Sequence, residues 1–247
     1  MIRIFVLYVT LLMVPYLALA QSAEYRVTFT GTWTSEDSLS YPLSAHFTDL
    51  VGATHLPGEA IWQRGGFASP GVEEVAETGN TRIILDELSA LHDSGTSGQA
   101  IILDSLFGLP NSTSVEIQIT EEQSHITLIS MVAPSPDWFV GVSDLSLRNN
   151  NAWVEDLTID LHPYDAGTEE GNEFTLSNDE TSPFDAIQFI GESPFFLTNP
   201  VIGQLRFELL TVIETSIPEP STPIVPPVRN DNKAALTPVT NILLEGD

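Results

Sequence analysis

A chain of 247 residues with 34 acidic and 8 basic side chains has a formal charge of −26, which excludes electrostatic binding to nucleic acid or to an anionic membrane. It contains no cysteine, so thiolate metal sites, thiol catalysis and disulfide staples are excluded too. Burial alone must hold the fold, for which a core built from about 190 residues is large enough.

The chain opens with Met1-Ile2-Arg3, an apolar run from Ile4 to Leu19, and the small-residue end Ala18-Leu19-Ala20. A short basic start, a hydrophobic middle and a small-residue cleavage site describe a secretory signal peptide over residues 1–20, cut after Ala20. An uncleaved anchor is the alternative, but the run is short for a membrane span. The implied location is outside the cell or at its surface. Tyr25 to Thr30 alternates apolar and polar, the pattern of a first strand with one face in the core. Trp33 beyond it reads as a core residue. His46 and His55 bracket a short apolar segment at a spacing that matches no compact zinc motif.

Ser69-Pro70-Gly71-Val72-Glu73 starts a short helix, with Ser69 as N-cap, Pro70 in the first turn and Gly79 as the terminator. Glu77 within it has no partner nearby in sequence and reads as structural. From Thr81 to Gly98 the pattern is mixed and fixes no element. Ile101 to Leu103 reads as a strand, and Gly108-Leu109-Pro110 as a turn.

Val115 to Ile119 alternates strictly and puts Glu116 on the polar face. Leu128 to Val132 then runs into the loop Ala133-Pro-Ser-Pro-Asp137-Trp138-Phe139. Val140 to Leu147 runs back, turns at Arg148 to Asn151, and returns as Trp153 to Leu161 into the loop Tyr164-Asp165-Ala-Gly167-Thr-Glu169-Glu-Gly171. Two passes separate the loops, so an up-and-down antiparallel path brings them to one end of a sheet. Glu116, near the start of its strand, falls toward the same end. Carboxylates converging from tight, bendable backbone are what a calcium-type site needs. The competing reading is that Asp137 and Asp165 only cap backbone amides in turns. Ile202 to Leu209 alternates again as the final strand. Pro218, Pro220, Pro223, Pro226 and Pro227 mark residues 214–247 as an extended, disordered tail, which leaves 21–213 as one domain.

Met131-Val-Ala-Pro-Ser-Pro-Asp-Trp-Phe-Val-Gly-Val142 and Pro163-Tyr-Asp-Ala-Gly-Thr168 resemble the signature segments of the spondin domain family. Gly31-Thr-Trp33, Ala45-His-Phe47, Val51-Gly-Ala-Thr-His55, Gly66-Phe-Ala-Ser69 and Ala76-Glu-Thr-Gly79 extend the resemblance over residues 24 to 212. It implies an all-β fold, a C2-like antiparallel β-sandwich with one or two short helices. It also implies one divalent ion, usually calcium, with another divalent cation as the alternative. The implied role is extracellular adhesion or matrix interaction through a protein or glycan partner, without catalysis. Carried over residue by residue, the ion ligands are Asp137 and Asp165. Glu169 stands where the family usually has a second aspartate, and Glu116 resembles a further acidic ligand. Vertebrate members carry disulfides, from which this cysteine-free chain departs. Two other functions are open: a calcium-dependent peripheral membrane binder, and a hydrolase using paired carboxylates. The hydrolase is disfavoured because the sequence holds neither Gly-x-Ser-x-Gly nor His-Glu-x-x-His.

Overall fold

Alternation along the first strand buries Tyr25, Val27 and Phe29 completely and leaves Arg26 and Thr28 facing outward. The computed structural model describes residues 19–191, 196–197 and 200–216. Residues 1–18 of the expected signal peptide (1–20) and 217–247 of the expected tail (214–247) lie outside the described residues, as does the turn proline Pro194; Leu19 and Ala20 begin a strand and residues 214–216 end another. Along the chain come β1 (Leu19–Gly31), β2 (His46–Phe47), β3 (Leu50–His55), α1 (Pro70–Thr78), α2 (Arg82–Asp93), β4 (Ser97–Leu103), β5 (Leu106–Phe107), β6 (Asn111–Thr120) and β7 (His125–Ala133). They are followed by β8 (Trp138–Ser146), β9 (Arg148–Asn149), β10 (Ala152–Trp153), β11 (Asp156–Leu161), β12 (Tyr164–Asp165), β13 (Glu169–Glu170), β14 (Asp179–Glu180), β15 (Gln188–Phe189) and β16 (Gly203–Ser216).

A four-stranded sheet in the order β11-β16-β1-β6 packs on a larger antiparallel sheet centred on β7 and β8. Tyr25, Phe29 and Phe207 from the small sheet meet Leu128, Val140 and Phe47 from the large one in the main core. The outer face of the large sheet is covered by the two helices, whose Val72, Val75, Ile84 and Leu88 pack on Val51, Ile129 and Phe139. The expected all-β sandwich with two short helices is therefore the architecture. Helix α1 begins as its sequence dictates. The Ser69 side chain accepts from the Val72 N–H, and Gly79 closes the helix at φ 71°. Helix α2 occupies the stretch whose pattern fixed no element.

The chain path departs from a simple meander. It changes sheets between β6 and β7, and again between β8 and β11, because β11 pairs with β16 in the small sheet. It then returns as β12, which pairs with β8 and sets Asp165 opposite Trp138. The two signature loops thus meet at one end, by a route through the other sheet.

Strand β7 is squeezed on both sides by glycines. A methyl group at Gly52 of β3 would lie 1.9 Å from the Thr127 carbonyl oxygen, and one at Gly141 of β8 would lie 2.1 Å from that of Leu128. The β7–β8 register shifts between Ile126 and Leu128, and the Leu128 carbonyl accepts from the Trp62 indole N–H at 3.2 Å.

His55, 2 % exposed, sits at the opposite end of β7. Its Nδ1 lies 2.8 Å from the Leu56 carbonyl, which only accepts, so Nδ1 carries the proton. Nε2 then accepts from the Thr127 hydroxyl at 2.7 Å, and that hydroxyl oxygen accepts from the Asp144 N–H. Burial lowers the pKa of His55 below its usual 6.5, against the opposing pull of the Leu56 carbonyl and Asp144. The neutral ring is the folded form, so its contribution is complete above the ordinary value and is lost as pH falls through the lowered one. Denaturant melts should show the stability difference between the wild-type protein and His55→Gln shifting against the wild type as pH falls below about 6.5, whatever the acids elsewhere contribute to both. A difference that does not change with pH would refute the assignment.

Candidate metal centre

Asp137 closes the β7–β8 turn. The Trp138 N–H donates to Ser135 Oγ at 3.1 Å, which tightens the turn and aims the aspartate inward. Asp137 and Ser135 are both 0 % exposed. One carboxylate oxygen, Oδ2, accepts from the Thr168 N–H at 2.7 Å, the Glu169 N–H at 3.1 Å and the Thr168 hydroxyl at 3.3 Å. The other, Oδ1, is buried without a hydrogen-bond partner. A buried carboxylate oxygen with nothing to accept from is costly unless a cation or proton meets it.

The segment after β12 wraps around this side chain. The Ala166 N–H donates to the Asp137 carbonyl at 3.1 Å, and the Gly167 N–H donates to Asp165 Oδ1 at 2.8 Å. Gly167 turns with φ 76°, and a methyl there would lie 2.3 Å from the Asp185 carbonyl oxygen. Only glycine permits both the turn and that approach. Asp185 returns the contact, its N–H donating to the Gly167 carbonyl at 2.8 Å.

The electrostatics follow from this crowding. Burial, then the charge of Asp137, pushes Asp165 up to about 6 against the Gly167 and Trp138 hydrogen bonds. Burial also raises Asp137, although the N–H groups of Thr168 and Glu169 pull the other way. Glu169 is raised by burial and by Asp137, while its Oε2 accepts from Asn178 at 3.3 Å. Glu169 stands directly opposite Glu180 in the β13–β14 pair, and Glu170 opposite Asp179. Like charges facing across strands destabilise the pair unless a cation is present.

Glu77 is the residue that sequence reasoning assigned only a structural part. It comes from the last turn of α1, where burial pushes it up to about 7, opposed by a hydrogen bond from Thr168 and reinforced by Glu169, Glu73 and Asp137. The available signal was its place in Ala76-Glu-Thr-Gly79, one of the segments carrying the family resemblance. Glu116 is not brought to this end. It stands on the outer face of β6 in the small sheet and is ion-paired with Arg26 of β1 at 2.9 Å. Alternation placed it on the polar face correctly; the change of sheet after β6 removed it from the site.

Asp165, Glu169, Glu170 and Asp185 line an open groove of about 470 Å³ that also includes Gly167, Gly171, Asn172 and Thr181. Among the described residues, no three His, Asp or Glu side chains stand close enough to enclose an ion by themselves. The acidic oxygens at the open face are those of Asp165, Glu169, Glu170 and Asp185, whereas Asp137 is fully buried and does not line the groove. Hard oxygens of this kind suit calcium or magnesium and not a soft metal.

Comparison with known proteins identifies the family. The Spondin_N family model matches residues 23–199. Human Spondin-2 is 34% identical over 178 residues, covering 69% of this chain and 53% of that protein. Spondin-1 from Rattus norvegicus is 29% identical over 209 residues, and human Spondin-1 is 30% identical over 206; each match covers 78% of this chain and 25% of the relative. The chain thus spans about half the length of Spondin-2 and about a quarter of Spondin-1. A family match over most of the chain, on a sandwich whose two signature loops fold together around a buried aspartate, makes this chain a member of the Spondin_N family.

Proposed function

We propose that this protein is an extracellular, non-catalytic interaction module that binds one calcium ion through Asp137 and Asp165, with Glu169 at the margin of the site. The observation that carries the reading is the buried, unpartnered Oδ1 of Asp137 beside a second carboxylate pushed up to about 6. Glu116, committed to Arg26, has no part in it. The ion would neutralise repulsion among Asp137, Asp165, Glu169 and Glu77 and would hold the β7–β8 turn against the segment after β12. Partners are an extracellular protein or glycan reached from this end of the sandwich.

The pH dependence follows from the raised acids. A carboxyl whose folded pKa lies above its ordinary value holds its proton more tightly when folded. That stabilisation is complete below the ordinary value, 3.8 for Asp165 and 4.5 for Glu77, and is lost as pH rises through about 6 and about 7. Calcium restores at neutral pH what ionisation removes. In thermal melts of residues 21–247, calcium at about 100 times its dissociation constant should raise the melting temperature by roughly 5–10 °C near pH 7.5 relative to EDTA. The rise should shrink near about pH 5, where protons compete for the same oxygens, and vanish in Asp165→Ala. A wild-type melt unmoved by calcium near pH 7.5 would sink the reading.

One observation favours a second reading. Leu39 and Leu176 are 68% and 64% exposed, and Leu39 shares a groove with Phe174 and Asn172, the last of which also lines the acidic groove. Apolar side chains beside a cation site suit a calcium-bridged lipid surface. Co-sedimentation with liposomes, with and without calcium, separates this from a protein or glycan partner.

A further inference from the structure

The loop from Trp62 to Gly66 is pinned on two sides. The Ser143 hydroxyl of β8 donates to the Trp62 carbonyl. The Gly65 N–H donates to the Ile187 carbonyl, and the Ile187 N–H to that of Gly66, each at 2.8 Å. Held this way, the loop carries Arg64 over the ring of Phe189 in β15, its guanidinium carbon 5.8 Å from the ring centre. Arg64 stands apart from the other described arginines. Arg26, Arg82, Arg148 and Arg206 are each ion-paired with a carboxylate. Arg64 has neither an ion pair nor a hydrogen bond among the described residues, in a chain with 34 acidic side chains. A guanidinium presents five N–H donors in a planar fork, and resting on an aromatic face spends none of them. A fixed fork with all its donors free suits a carboxylate.

Arg64 borders a groove of about 260 Å³ between β8 and β11, lined also by Trp62, Asp160, His162 and Tyr164. The His162 Nδ1 lies 2.9 Å from the Pro200 carbonyl, which only accepts. Nδ1 therefore carries the proton, and Nε2 of the neutral ring is an acceptor. Asp160 Oδ1 accepts from the Gln204 amide at 2.8 Å, while its Oδ2 has no partner among the described residues. Half-buried Tyr164 is held against Trp62 and Phe189, with ring centroids 5.2 and 6.0 Å away.

A plain carboxylate would be met by Arg64 but repelled by Asp160. A neutral sugar would leave Arg64 unused. A ligand bearing both a carboxylate and hydroxyl groups satisfies Arg64, Asp160 and His162 together. We propose that this groove binds an acidic sugar, a hexuronate residue of an extracellular glycan. Its carboxylate meets the Arg64 fork, its hydroxyls donate to Asp160 and to His162 Nε2, and its C–H face lies along Tyr164. The volume admits a single sugar ring, so one residue is recognised and not a long chain. The inference rests on the reading of the chain as an interaction module with a glycan partner, and it does not require calcium.

The test is calorimetric titration of digalacturonate into residues 21–247, in EDTA and again in calcium, beside its uncharged methyl ester. The acid should bind in both, and the ester at least about tenfold more weakly. Arg64→Ala should weaken the acid to the level of the ester, and Arg64→Lys, which keeps the charge without the fork, should fall between. Asp160→Ala should weaken binding as well, since the hydroxyls lose their acceptor. Arg64 and Asp160 are exposed, and thermal melts check that the variants stay folded. No binding at millimolar digalacturonate would overturn the proposal. Tighter binding by Asp160→Ala would also overturn it, because the groove would then hold a plain anion. So would binding that survives Arg64→Ala but disappears in EDTA, which places the sugar on calcium. The calcium response is read separately in the melts, so failure of this groove is distinguished from failure of the metal site.

Discussion

Asp137→Ala is expected to lower the melting temperature by roughly 10 °C and to abolish the calcium response together with it. The side chain is 0 % exposed and accepts from the N–H groups of Thr168 and Glu169. Removing it leaves two buried backbone donors without an acceptor, a loss of about 3 kcal/mol after the relief of burying a charge is taken into account. The conservative Asp137→Asn separates the two roles. Its amide oxygen still accepts from Thr168 and Glu169, so most of the stability should remain, while the NH₂ faces the place of the unpartnered Oδ1 and repels a cation. Thermal melts of the two variants, with EDTA and with calcium, measure both effects. An Asp137→Asn protein that still gained stability from calcium would show that Oδ1 is not a ligand.

Gly52→Ala and Gly141→Ala are each expected to cost on the order of 4 kcal/mol, among the largest single-methyl effects available in this fold. The atom each methyl would strike is a backbone carbonyl of β7, which cannot rotate away as a flexible side chain could, and the separations would be 1.9 and 2.1 Å. The strand would have to move, and with it the bulge at Ile126–Leu128 and the Trp62 hydrogen bond. Gly95→Ala is the control. Gly95 has φ 79° with open space around it, so alanine there pays only for the left-handed backbone, about 1 kcal/mol. Denaturant unfolding of the three variants gives the comparison. If Gly52→Ala behaved like Gly95→Ala, the close approach of β3 to β7 would be wrong.

What the sequence disclosed, and what it withheld, divides along physical lines. Helix α1 was legible because its signals are local: a serine that caps, a proline that needs no N–H, and a glycine that takes φ 71°. Helix α2 was not, because Thr81 makes no side-chain cap and only Ile84 and Leu88 are fully buried along it. The alternation of β1, β6 and β16 showed which faces turn inward. It carried no information about which sheet a strand joins, since β11 would present the same alternation in either. That non-local choice is why Asp165 reached Asp137 by an unexpected path and why Glu116 went to Arg26 instead. Glu77 read as structural for the same reason: its neighbours Thr168 and Glu169 are remote in sequence, and only the helix packing on the large sheet brings them together.

The pairing of β1 with β16 has a mechanical consequence. The strands are antiparallel, and Leu19 lies opposite Ser216, so both ends of the described chain leave from one pole of the sandwich. Tension between those ends pulls the two strands apart like a zipper, loading one pair of hydrogen bonds at a time instead of shearing the whole ladder together. A module tethered at both ends would therefore yield at low force and, once cut after Ala20, begin to open where Gln21 faces Glu214. The cluster around Asp137, on β7, β8 and the segment after β12, lies outside the first strands to separate.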